Sequence, residues 1–123
     1  MNARLRSRAF LMLLASVVAG STDSVHASRI DGLADQRTVV EGHGTNAHEA
    51  IIDGGEPTII SIVGDGSSNL DLLVYDQGGT LIGSDTGYGD RCAAVLRPDR
   101  SGPIRIVIRN LGDTPDQYQL TIH

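Results

Sequence analysis

Beyond residue 36 the chain is built from short apolar runs, mostly Val, Ile and Leu. Clusters of Gly, Pro, Asp, Asn and Ser break these runs every eight to twelve residues. That spacing predicts an all-β fold, an antiparallel sandwich or barrel. The predicted strands cover residues 37–42, 47–53, 58–64, 70–76, 80–84, 92–97, 104–110 and 117–123, about eight in all. Two of them carry a clean period of two. Ile104, Ile106 and Ile108 alternate with Arg105, Val107 and Arg109, and Tyr118, Leu120 and Ile122 alternate with Gln117, Gln119, Thr121 and His123. Such strands bury one face and wet the other. Leu70, Leu72 and Val74 share a face in the same way. Pro57 and Pro103 stand at strand starts, where a missing N–H does least harm. No stretch after residue 27 has a convincing helical period.

The first 27 residues read as a removable export signal. Arg4, Arg6 and Arg8 precede an uncharged run over residues 9–20, and Val25-His26-Ala27 presents small residues at a cut after Ala27. The run is shorter than the roughly 20 residues a membrane-spanning helix needs. No second apolar run follows, so no membrane span is expected once the signal is removed. Residues 28–36 are polar and read as a flexible leader, leaving one domain over residues 37–123. The expected location is the periplasm or the extracellular space.

Charge narrows the partners. From Ser28 onward the chain has seven Arg, no Lys and fourteen Asp plus Glu, a net charge of about −7. Such a domain is a poor match for nucleic acid, whose phosphates want a basic patch. A cation or a basic protein suits it better. Cys92 is the single cysteine, so no internal disulfide forms. Its place in CAAVL reads as an inert core position. A reactive thiol or an intermolecular disulfide is the alternative, and no base lies nearby in sequence to support a nucleophile.

At this point the residues carry a resemblance. NLDLLVYDQGGTLIGSD, then YGDRCAAVLRP, then SGPIRIVIRNLGDTPDQYQLTI, in that order, is similar to the bacterial pre-peptidase C-terminal domain. That family shows an Asp-flanked strand, a Gly turn, an acidic loop, a strand ending in V-x-N and a closing Y-x-L strand. Here these fall on residues 71–76, 78–79, 85–90, 102–110 and 118–120, and residues 54–66 resemble the strand that precedes them. The resemblance covers residues 51–123 and implies an antiparallel β-sandwich of jelly-roll type, exported by bacteria. Such domains often trail secreted peptidases as non-catalytic accessories. Some relatives bind calcium and some an extracellular polymer such as collagen. This chain reads as a stand-alone copy with no peptidase attached, and Ile104 stands where the family usually has an aromatic residue.

The acidic hairpin is the candidate site. With Gln77-Gly78 as a two-residue turn, Asp76 pairs with Gly79, Asp71 falls opposite Ser84, and Asp85 lies beside Leu70. Asp65, Asn69, Asp71, Asp85 and Asp90 then gather at one end of the sheet as candidate calcium ligands. Calcium takes six to eight oxygens from such groups, and clustered carboxylates repel one another without a cation. The plainer reading makes these residues turn caps and guards of strand edges. The spacing is not that of an EF-hand loop.

Other chemistry has less support. His48-Glu49 lacks the second His of H-E-x-x-H, and His43 and His48 read as solvent-facing loop residues. There is no G-x-S-x-G elbow and no phosphate loop opening a helix. The chain therefore reads as a non-enzymatic accessory or binding module for a protein or an extracellular polymer. The competing reading is a structural or assembly component of the cell envelope or matrix.

Overall fold

The computed structural model describes residues 37–123 together with the backbone of Ala27–Ser28. The rest of the expected signal and leader lies outside the described residues. The strands are β1 (Ala27–Ser28), β2 (Arg37–Val40), β3 (Thr45–Ile52), β4 (Thr58–Val63), β5 (Leu70–Asp76), β6 (Leu81–Asp85), β7 (Arg91–Leu96), β8 (Gly102–Asn110) and β9 (Asp116–Ile122). The eight predicted strands all form as β2 to β9, with ends displaced by no more than two residues.

They make two sheets, in the orders β1-β3-β8-β5-β6 and β2-β9-β4-β7. Apart from the two-residue parallel contact of β1 with β3, every pairing is antiparallel. The inward faces meet in one core. Ile104, Ile106 and Ile108 of β8 and Leu70, Leu72 and Val74 of β5 face Ile60 and Ile62 of β4, Leu96 of β7 and Tyr118 and Leu120 of β9. The period-two reading of β8 holds, because its three isoleucines are buried while Arg105 and Arg109 stay open to solvent to differing degrees. Full burial of each such side chain is worth about 1.5–3 kcal/mol, so this aliphatic core carries the fold with little aromatic help.

The β5–β6 hairpin differs from the expected register. Its turn has three residues, Gln77-Gly78-Gly79. The Asp76 N–H donates to Thr80 O (2.9 Å), and Asp76 Oδ1 accepts from the N–H groups of Gly78 and Thr80, both at 2.9 Å. Gly79 takes φ +88°, the left-handed conformation that ends such a turn. A bulge between Val74 and Tyr75 adds a further shift. Leu72 therefore lies opposite Asp85 and Leu73 opposite Ser84, while Asp71 pairs with Arg109 of β8. The carboxylate of Asp76 and a glycine able to follow it favour the longer turn.

His48 is a second correction. It is not a solvent-facing loop residue. It sits inside β3 at 1% exposure, with its Nε2 2.6 Å from the Tyr118 hydroxyl. In the extended register β3 starts at Thr45, so Asn46, His48, Ala50 and Ile52 share the inward face. Asn46 Nδ2 donates to the same hydroxyl and to Val39 O. Burial pushes the His48 imidazole down to about 4, so it is neutral at ordinary pH. This is a polar tie between the two sheets.

Candidate acidic site at the loop end

One end of the sandwich collects the β4–β5, β6–β7 and β8–β9 loops. Three carboxylates meet there: Asp65 after β4, Asp90 just before β7, and Asp116 at the start of β9. One oxygen from each lies within 4.8 Å of the others, and among the described residues no other group of three metal-type side chains converges so closely. Asp116 is fully buried, Asp90 partly buried and Asp65 exposed.

Backbone N–H groups hold these carboxylates in place. Asp116 Oδ1 accepts from the Asp65 N–H and its Oδ2 from the Ser68 N–H, both at 3.1 Å. Asp90 Oδ2 accepts from the Gly66 N–H at 2.7 Å. Asp65 accepts from the Ser67 N–H and from the Gln117 N–H of β9. Gly64 makes room for this approach, since a Cβ there would collide with Asp90 Oδ2 and Asp116 Oδ1. Burial, then its hydrogen bond with Asp90, pushes the Asp116 carboxyl up to about 7. The Ser67 hydroxyl holds the Asp65 carboxyl below its ordinary value.

Of the five expected ligands, Asp65 and Asp90 come together, and the carboxylates of Asp71 and Asp85 stand outside their cluster. Asn69 Oδ1 accepts from the Gly89 N–H (2.9 Å). Asp85 accepts from the N–H groups of Gly87 and Ala93. Asp71 is buried, paired with Arg109 in register, and its Oδ1 has no hydrogen-bond partner among the described residues. Asp116 is not among the residues expected from the sequence. Its signal was parity: it shares the inward alternation of Tyr118 and Leu120, where an apolar residue belongs.

The same network presents one side chain outward. Residues 86–90 form a loop tied down on both flanks by Asp85 and Asn69, by Leu70 N–H donating to Gly89 O (2.9 Å), and by Gly64 N–H donating to Asp90 O (2.8 Å). At its tip, between Gly87 and Gly89, Tyr88 is 94% exposed. Below the loop, Cys92 Sγ lies 3.3 Å from Leu70 O. Burial, with Asp85, Asp71 and Asp90 nearby, pushes its thiol up to about 12. It stays protonated at neutral pH, so it is no nucleophile there. Asn110, the last residue of β8, closes the third loop. Its amide donates to Val40 O and Thr114 O, and its oxygen accepts from Ser68 Oγ and the Gly112 N–H.

No family model and no curated protein sequence matches the chain. Solved structures do. The pre-peptidase C-terminal domain of collagenase from Bacillus anthracis superposes with a TM-score of 0.59 at 9% identity, over 86% of this chain and 99% of that one. PliG of Aeromonas hydrophila, a periplasmic inhibitor of g-type lysozyme, superposes with a TM-score of 0.54 at 17% identity, over 81% and 96%. The fold is that of a pre-peptidase C-terminal-like β-sandwich. Among the described residues no helix is long and apolar enough to cross a membrane.

Proposed function

We propose that this chain is an exported, non-catalytic binding module that engages a protein partner through its acidic loop end, with Tyr88 as the anchor. The exposure of Tyr88 carries this reading. A tyrosine at 94% exposure on a pinned loop offers a large, rigid contact surface at small entropic cost. The charge of about −7 from Ser28 onward favours a basic partner and speeds the encounter. Both fold neighbours bear on the class of protein, since one is a domain of a collagenase and the other a periplasmic lysozyme inhibitor. A g-type lysozyme is therefore the first partner to test. In a cell-wall lysis assay the wild-type protein inhibits, and Tyr88→Ala raises the concentration needed at least tenfold, on the order of a hot-spot loss. Equal inhibition by both would remove Tyr88 from the contact. No inhibition by either would remove this partner.

A second reading is favoured by the meeting of Asp65, Asp90 and Asp116. Calcium held by these three oxygen donors would complete the loop end. The donor set is hard and anionic, and a cation would relieve the mutual repulsion that helps keep Asp116 protonated. A ligand bound only by the folded state raises Tm. At pH 8, millimolar calcium therefore raises Tm over chelator in the wild type and not in Asp116→Asn. The same Tm in calcium and chelator would leave the cluster a purely protein-held staple.

A further inference from the structure

The end of the sandwich remote from Asp116 is built differently. There β3, β5 and β7 finish and β6 and β8 begin, around a cleft of about 750 Å³. Small-ligand pockets run from roughly 300 to 1,000 Å³. Its apolar lining comes from Ile52 and Ile104, both buried, from Ile82, half-buried, and from Val95, which is exposed. Arg97 and Arg100 line it too. Neither has an acidic partner among the described residues, whose ion pair is Arg105 with Glu49 at 2.8 Å. Two acids share the cleft. Asp76 spends its Oδ1 on the N–H groups of its own turn, and Asp99, exposed on the β7–β8 loop, forms no ion pair with either arginine. The loop carrying Arg100 is held in place, because the Gly54 N–H donates to Ser101 Oγ and the Gly55 N–H to Pro98 O, each at 2.9 Å.

Two unpaired guanidiniums beside an aliphatic lining select an anion with an apolar body, and a guanidinium fork matches the two oxygens of a carboxylate. We propose that this cleft binds a carboxylate carried on an apolar chain. Arg97 and Arg100 take the carboxylate, and Ile52, Ile82, Val95 and Ile104 take the chain. A free fatty acid and the free C-terminus of an apolar peptide both offer that chemistry. The site is independent of the Tyr88 reading and can stand or fall without it.

The test is a methyl-detected NMR titration of the purified protein with four probes: octanoate, methyl octanoate, and N-acetyl-Leu-Leu with a free or an amidated C-terminus. Saturable shifts of the Ile52, Ile82 and Ile104 methyls are expected with octanoate, with the free peptide, or with both, and the responder identifies the source. The ester and the amide should bind about tenfold more weakly or worse, as should either acid to the Arg97→Gln/Arg100→Gln double variant. Both arginines are exposed, so the variant is expected to keep the wild-type Tm. Equal binding of the neutral probes, shifts centred away from the three isoleucines, or no saturable shift with either acid would overturn the proposal. If the double variant fails to fold, the acid-versus-neutral comparison on wild-type protein decides alone.

Discussion

The two ends of this sandwich handle their loops in opposite ways. At the acidic end, side-chain carboxylates and amides bridge three loops, and Asp116, Asp90, Asp65 and Asn110 take up backbone N–H groups that no strand satisfies. At the cleft end, the β3–β4 and β7–β8 loops meet through one serine hydroxyl and one backbone carbonyl, leaving an open apolar mouth. The first arrangement buries a carboxyl group and displays a single tyrosine. The second leaves apolar surface and two arginines for something else. Buried polar groups demand partners, so the acidic end is expected to be stiff and intolerant of change. The cleft end is expected to be tolerant.

The largest effect that tests this contrast is Asp116→Ala. It strips acceptors from the N–H groups of Asp65 and Ser68 and should cost about 3 kcal/mol in urea unfolding. A pair of changes at the cleft end, Arg97→Gln with Arg100→Gln, should cost less than about 0.5 kcal/mol. Comparable losses at the two ends would break the contrast. Gly64→Ala comes next. It drives a methyl into the carboxylates of Asp90 and Asp116 and should cost about 2 kcal/mol, as overpacking does.

The pH profile sharpens the same point. The folded-state value of Asp116, about 7, lies above its unfolded value, so its contribution is full below about pH 4 and is lost as pH rises through 7. His48 works the other way. Its folded value of about 4 lies below its unfolded value of 6.5, so its contribution is present above 6.5 and lost as pH falls toward 4. The two oppose each other between pH 4 and 6.5, and above that window only Asp116 slopes. Tm should therefore fall from pH 6.5 to 8 in the wild type and hold level in Asp116→Asn. A wild-type Tm that does not fall over that range would mean that Asp116 is already ionised in the fold. The smallest expected effect on stability is that of Tyr88→Ala, within about 0.5 kcal/mol, because the ring touches almost nothing.

Much of the fold was legible in the chain because its strands alternate cleanly and its breaks are rich in turn formers. Ile104 to Ile108 and Leu70 to Val74 announce inward faces that the structure keeps. The site was half legible. Asp65 and Asp90 stand in loops, and loop aspartates are easy to nominate. A two-residue turn brings Asp71 and Asp85 to the same end, and the three-residue turn and the bulge at Val74 displace that register. Register depends on turn length and bulges, and Gln77-Gly78-Gly79 is compatible with either length. Asp116 and His48 were missed for a shared reason. Both are polar residues at inward positions, and a buried polar group shows its purpose only when its partners, here from the β4–β5 and β6–β7 loops and from β9, are in place.

The most direct test of the binding claim is an amide NMR map of the labelled protein with unlabelled g-type lysozyme. Perturbations are expected over residues 85–91, extending into the adjoining 65–69 and 112–116 loops, with the cleft residues around Arg97 and Arg100 unmoved. Perturbations centred on the cleft end, or none at saturating concentration, would contradict it.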